Sequence, residues 1–172
     1  EGIAVEGMRL NFANLPKAVA NGQDLEARAH MMSAAAMGAT AFQKGLGAIH
    51  ALSHPVGALY HTHHGTTNAV FMPYVLVFNR PAIEAKIERL GGYLGIPGGF
   101  DGFLAAVLDL RKETGVPNDL KGLGVDGSRF DTMVEMSLVD PTAGGNPVPL
   151  TKEGSRKLFE AALKGDVAAA AA

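Results

Sequence analysis

Apolar residues recur at helical spacing along nearly the whole chain. Near the start, one stripe of an α-helix is formed by Met8, Phe12, Leu15 and Val19. The Asn21-Gly22 pair is expected to end this helix. Asp24 is placed to cap a second helix, rich in alanine and methionine, that ends near Lys44-Gly45.

The middle of the chain predicts three further helical segments. Residues 45–60 form a short apolar helix weakened by proline and glycine, and a loop follows at 61–65. An apolar helix over 66–78 is expected to stop at Asn79-Arg80-Pro81, because proline favours the first position of a new helix. The next helix is amphipathic and ends in a loop at 91–99.

The last third continues the pattern. A helix around 103–110 is stopped by Gly115-Val116-Pro117, and either Asp126 or Ser128 caps another that runs to Leu138. After a loop rich in proline and glycine, Thr151 caps a final helix. No stretch alternates with the period of a strand. We therefore predict an all-α fold, a bundle of about seven helices.

We expect these helices to form one domain over residues 1–165. The opening residues have the pattern typical of the middle of a helix, so the domain is expected to be truncated at its N-terminus. Residues 166–172 end in five alanines and are predicted to be a low-complexity tail outside the fold.

Composition narrows the function classes. A formal net charge of −2 gives no basic surface for nucleic acid, and no apolar run approaches the roughly 20 residues that span a bilayer. The chain has no cysteine, which excludes disulfides and thiolate metal sites. From composition alone we expect a soluble, cytoplasmic protein that binds neither nucleic acid nor a membrane.

Histidine is the clearest chemical signal. Of the six histidines, five lie between positions 50 and 64. His50 and His54 are one helical turn apart and project from the same face. Neutral imidazole is the commonest metal ligand, so the pair is a candidate half of a metal site.

His64 can join this pair only if the chain turns back. Two histidine ligands of one metal have Cα atoms within roughly 12 Å, whereas a continuous helix would place His50 and His64 about 21 Å apart. Pro55 and Gly57 weaken the helix where the turn is needed. Spacing alone leaves open that each histidine is an ordinary hydrogen-bonded or surface side chain.

The other histidines carry less information. His30 stands alone and is assigned no role. His61 and His63 either line a substrate pocket or have no role. No aspartate or glutamate lies between Gln43 and Arg80, so any further metal ligands must come from elsewhere.

The histidine region resembles a known family signature. Residues 47–60, with His50, His54 and Pro55, and residues 63–69, with His64-Gly65, closely resemble the signature of iron-containing (group III) alcohol dehydrogenases. Flanking segments at 14–28, 73–79 and 146–151 are similar to that family as well, and the resemblance runs from about residue 3 to 164.

The resemblance implies a two-domain enzyme of the dehydroquinate-synthase-like fold. In that family an N-terminal α/β domain binds NAD or NADP. The C-terminal helical domain holds Fe(II), or sometimes Zn(II), on one aspartate and three histidines. This chain corresponds to the C-terminal half alone, and the Asp-x-x-x-His motif that supplies the other two ligands is absent from it.

Residue by residue, His50 and His64 match two metal ligands. His54 matches the non-ligand histidine near the nicotinamide and is the catalytic candidate; Tyr60, His61 and His63 are substrate-pocket candidates. No other cofactor-binding residue is expected here. The implied function is interconversion of alcohols with aldehydes or ketones by a full-length homo-oligomer, expected to be a dimer, with the isolated chain inactive.

Two rival interpretations stay open: a stand-alone helical metal-binding or interaction module, and a metal-free structural piece. Residues 122–127 also match the dinucleotide-binding pattern G-x-G-x-x-G. That pattern needs a preceding strand and a βαβ unit. Here a proline- and asparagine-containing loop precedes it, so we interpret it as a turn that leads into a helix.

Overall fold

The structure, a computed structural model, describes residues 1–171, which form seven α-helices and no strand. This confirms the all-α prediction. The helices are α1 (Gly2–Ala20), α2 (Leu25–Ala41), α3 (Ala48–Tyr60), α4 (His64–Leu94), α5 (Gly99–Glu113), α6 (Phe130–Leu138) and α7 (Lys152–Lys164).

Two of the three predicted helix caps are confirmed. The Asp24 carboxylate accepts the Ala27 N–H at 2.9 Å, and the Thr151 hydroxyl accepts the Gly154 N–H at 3.1 Å. The cap predicted for α6 is wrong, since Arg129 precedes that helix and makes no side-chain cap bond. Asp126 instead accepts the Ser128 N–H at 2.8 Å, which tightens the loop before α6.

The predicted break at Asn79-Arg80-Pro81 is also wrong. α4 runs through it for 31 residues, with Pro73 and Pro81 inside the helix. A proline inside a helix removes one backbone hydrogen bond. Tertiary packing offsets that cost, because Val70, Phe71 and Tyr74 on α4 are fully buried.

The described residues divide into two compact units. The first comprises residues 1–44 and 85–115, where α1 and α2 pack against each other. Small side chains allow the close approach, since Ala27 and Ala34 on α2 are 1% and 3% exposed. Phe12 of α1 meets Phe103 of α5 edge to face, with ring centroids 6.2 Å apart.

The second unit comprises residues 45–84 and 116–171, and it contains the largest buried side chains and all five clustered histidines. Phe71 and Phe159 meet edge to face in its core, with ring centroids 5.6 Å apart. The residues with no exposed surface include Leu52, Val56, Val70, Phe71, Tyr74, Leu120, Met133, Val134, Leu158 and Phe159.

Part of the predicted tail belongs to this second unit. Ala168–Ala170 form a 3₁₀ turn, and Ala170 is fully buried against the core. Ala172, also assigned to the tail, lies outside the described residues. The domain boundary at residue 165 stays a prediction.

Within residues 1–171, no single helix is long and apolar enough to cross a membrane. Only α4 and α5 taken together, across a 65° bend, satisfy the length and composition that a span would need.

Candidate metal centre

The turn between α3 and α4 brings three histidines together. His61 ends α3 in the left-handed conformation with φ of 55°, and α4 begins three residues later. The His50 and His64 ring centroids are 5.3 Å apart, and His54 lies 5.7 Å from His50 and 5.5 Å from His64. The chain therefore turns back before His64, as the spacing argument required.

The Nε2 atoms of two of these rings face one side chain. Asn68 Nδ2 lies 3.3 Å from His50 Nε2 and 3.0 Å from His64 Nε2. Asn68 follows His64 by four residues on α4, so the two side chains share a helix face. The Asn68 Oδ1 atom is buried and accepts no hydrogen bond from the described residues. The amide thus sits where both imidazole lone pairs converge.

The third histidine is held by a distant carboxylate. His54 Nδ1 lies 2.8 Å from Asp140 Oδ2. Asp140 Oδ1 accepts the Thr142 backbone N–H at 2.9 Å and the Thr142 hydroxyl at 2.5 Å. The Asp140 side chain is 10% exposed, whereas that of His54 is 40% exposed. The carboxylate is therefore fixed and His54 keeps access to solvent.

The surroundings of His50 and Asp140 lower the pKa of both side chains. Burial lowers the pKa of His50, and the neighbouring His64 and His54 lower it further while Asp140 opposes them. The lowered pKa favours the neutral form of His50, which is the form that binds metals. Burial raises the pKa of Asp140, but the hydrogen bonds from Thr142 and His54 outweigh it, so its pKa is lowered overall.

A second distant residue anchors the start of α3. Gly47 precedes this helix and supplies no side-chain cap, which leaves the Ala48 N–H without an acceptor from its own helix. Asn146 Oδ1 accepts that N–H at 3.1 Å and the Asn79 Nδ2 group at 3.0 Å. Asn146 Nδ2 donates to Asn79 Oδ1 at 2.7 Å and to the Val148 carbonyl at 2.6 Å. The helix that carries His50 and His54 is thus tied to the loop before α7.

The arrangement fits half of a metal site. Two imidazole nitrogens face the Asn68 Nδ2 atom, and the Oδ1 atom of the same amide is buried without a hydrogen-bond partner among the described residues. Protein zinc sites use three or four protein ligands. Among residues 1–171, no group of three or more histidine, aspartate or glutamate side chains is arranged to hold an ion. A metal ion bound between these two histidines would therefore need further ligands.

Of the three substrate-pocket candidates, Tyr60 and His63 make hydrogen bonds within this chain. The Tyr60 hydroxyl donates to Asp126 at 2.9 Å and accepts the Arg129 N–H at 3.2 Å. His63 Nδ1 accepts the Thr66 N–H at 3.3 Å, so this side chain caps the start of α4. His61 is exposed at the turn. Their pocket-lining role stays a prediction.

The structure also places the residues to which the sequence analysis gave no functional role. His30 Nε2 lies 4.0 Å from Glu26 one turn away on α2, which gives it an ordinary surface contact. The G-x-G-x-x-G match at 122–127 begins within the 3₁₀ turn Lys121–Leu123, and no strand precedes it in the described residues.

Sequence reasoning missed Asp140, Asn68 and Asn146 as parts of the site. The four-residue spacing from His64 could have identified Asn68. Asp140 is 86 residues from His54 along the chain, and Asn146 is 98 residues from Ala48. No local pattern connects such positions.

The chain is similar to known proteins along nearly its whole length. The profile described as "Fe-containing alcohol dehydrogenase family, C-terminal" matches residues 1–163. The 4-hydroxybutyrate dehydrogenase of Cupriavidus necator is 38% identical over a match that covers 95% of this chain and 45% of that protein. The 1,3-propanediol dehydrogenase of Klebsiella pneumoniae is 36% identical, over 86% of this chain and 40% of that protein.

The fold of this chain is also similar to that of a solved structure. A crystal structure of 1,3-propanediol oxidoreductase superimposes with a TM-score of 0.89 at 33% identity, over 95% of this chain and 45% of that one. The chain therefore spans less than half the length of the relatives it matches.

Proposed function

Because this chain belongs to the Fe-containing alcohol dehydrogenase family, as its C-terminal domain, we propose that it is the metal-holding half of an NAD(P)-dependent alcohol dehydrogenase. The observation that carries the proposal is the convergence of His50 Nε2 and His64 Nε2 on one point, with the His54 ring beside them. The substrate class is a small alcohol or its aldehyde or ketone.

Each residue of this chain has a distinct task in the proposal. His50 and His64 would hold Fe(II), or Zn(II), together with ligands from the upstream half. A divalent metal supplies Lewis-acid chemistry that polarises a substrate oxygen. His54 lies against both ligand rings but is not assigned as a ligand, and its partly exposed side chain allows it to accept the proton of the substrate hydroxyl. NAD or NADP would bind the upstream half.

The chain alone is expected to be inactive. Complete structural zinc sites bind their metal with a free energy of order 10–16 kcal/mol. A site with only two of its four ligands lacks much of that binding free energy. Nothing in this chain orients a hydride acceptor against the substrate carbon, and orientation of that kind can lower a barrier by about 7–11 kcal/mol.

The test uses the protein joined to its upstream half, with bound metal and turnover measured separately. His50→Ala and His64→Ala should lose both the metal and alcohol oxidation. His54→Ala should retain the metal and lose rate by roughly 10²–10⁴-fold. His30→Ala, on α2, is the matched histidine control and should retain both.

Two outcomes would contradict the proposal. Alcohol oxidation that survives both ligand substitutions would exclude the assigned site. Tight metal binding by the chain without its upstream half would favour a stand-alone metal-binding module.

A further inference from the structure

The contact between His54 and Asp140 constrains the hydrogens of the imidazole ring. A carboxylate oxygen carries only lone pairs, so the His54 Nδ1 atom at 2.8 Å from Asp140 Oδ2 must be the donor. A neutral imidazole has one N–H. His54 Nε2 is then left without hydrogen and can only accept.

The carboxylate itself has a fixed orientation. Asp140 Oδ1 is occupied by the Thr142 backbone N–H and the Thr142 hydroxyl. A backbone N–H cannot reverse its role, so the oxygen that faces it must be an acceptor. Only Oδ2 is left to meet His54. The loop between α6 and α7 therefore determines which atom His54 meets.

We propose that Asp140 is a positioning residue that holds His54 as the Nδ1–H tautomer, so that Nε2 accepts a proton during turnover. This inference rests on the proposed role of His54 in alcohol oxidation. When Nε2 takes the proton of a substrate hydroxyl, the oxygen keeps the bonding electron pair and the ring becomes a cation. The Asp140 carboxylate stabilises that cation until the proton leaves to solvent.

The geometry makes a specific prediction for Asp140→Asn. The amide oxygen of the new side chain stays with the Thr142 N–H, because an amide NH₂ in that place would oppose another donor. The NH₂ group then faces His54 Nδ1 and donates to it. His54 Nδ1 must accept, and the ring is converted to the Nε2–H tautomer. A substitution that preserves shape would thus exchange the donor and acceptor atoms of His54.

The tautomer can be read without metal or activity, from the ¹⁵N chemical shifts of the ring nitrogens in this chain. Native protein should show a protonated His54 Nδ1 and an unprotonated Nε2, and Asp140→Asn should show the reverse. Asp126→Asn is a matched control, since Asp126 also accepts the N–H two residues ahead, at 2.8 Å. That control should leave the His54 pattern unchanged.

A native His54 that carries its hydrogen on Nε2 would overturn the inference, and so would an unchanged pattern in Asp140→Asn. The native measurement decides the question even if the variant does not fold. In the protein joined to its upstream half, Asp140→Asn should lower kcat by roughly 10²-fold or more with bound metal unchanged. If the tautomers behave as expected but His54→Ala keeps its full rate, the positioning stands and the proposed proton-accepting role of His54 fails.

Discussion

Replacing Asn146 with alanine tests whether the loop before α7 holds the histidine-bearing helix in place. The substitution removes four hydrogen bonds, to the Ala48 N–H, both ends of the Asn79 amide and the Val148 carbonyl. Asn79 is 6% exposed, so water cannot readily replace its lost partner. The Ala48 N–H also loses its side-chain acceptor.

The magnitude follows from these contacts. Each intramolecular hydrogen bond contributes about 1 kcal/mol net, and a buried polar group left without a partner costs about 1–3 kcal/mol. Because Asn146 is itself partly exposed, water recovers some of the loss. We expect Asn146→Ala to lower the free energy of unfolding by about 3–5 kcal/mol. At this chain length the melting temperature should fall by roughly 2–4 °C for each kcal/mol.

Urea unfolding followed by far-UV circular dichroism measures the change. Asn21→Ala is the matched control, since Asn21 is exposed and makes a single side-chain contact, to the Gln23 N–H at 3.0 Å; it should cost under about 1 kcal/mol. Asn79→Ala and the double variant complete a cycle, in which residues that share hydrogen bonds should couple by about 0.5–3 kcal/mol. A loss below about 1 kcal/mol for Asn146→Ala, or no coupling to Asn79, would refute the reasoning.

Three further predictions follow from individual contacts. Gly145→Ala should destabilise by about 1–3 kcal/mol or more, because its Cβ would lie 2.0 Å from the Leu46 carbonyl oxygen; Gly144→Ala, whose Cβ meets nothing within 4 Å, is the control in thermal melts. Phe159→Ala should cost about 3–5 kcal/mol in urea unfolding, since the ring is fully buried, and a loss under 1 kcal/mol would contradict the packing. Hydrogen bonds, first from the Ser128 N–H, lower the pKa of Asp126. The stability advantage over Asp126→Asn should therefore be full above the ordinary aspartate pKa of ~3.9 and disappear as pH falls through the lowered pKa; an advantage independent of pH would contradict this.

Much of the fold could be predicted because its signals are local. The apolar stripes, the Asp24 and Thr151 caps and the absence of strand periodicity depend on residues within one or two helical turns. The helix break predicted at Pro81 was wrong. Local propensity favours a stop there, but the burial of Phe71 and Tyr74 stabilises one continuous α4. The predicted Asp126 cap of α6 was wrong because the Asp126 carboxylate accepts hydrogen bonds from Ser128 and Tyr60 instead.

In the candidate site, too, local features could be predicted and long-range contacts could not. The sequence by itself determined that His50 and His54 share a helix face and that the chain must turn back to bring His64 near them, because helical rise and metal-bond lengths set those limits. Only the tertiary structure decided that Asp140 orients His54 and that Asn146 caps α3. Those contacts join residues 86 and 98 positions apart, and they arise from the packing of loops on helices, which no local spacing encodes.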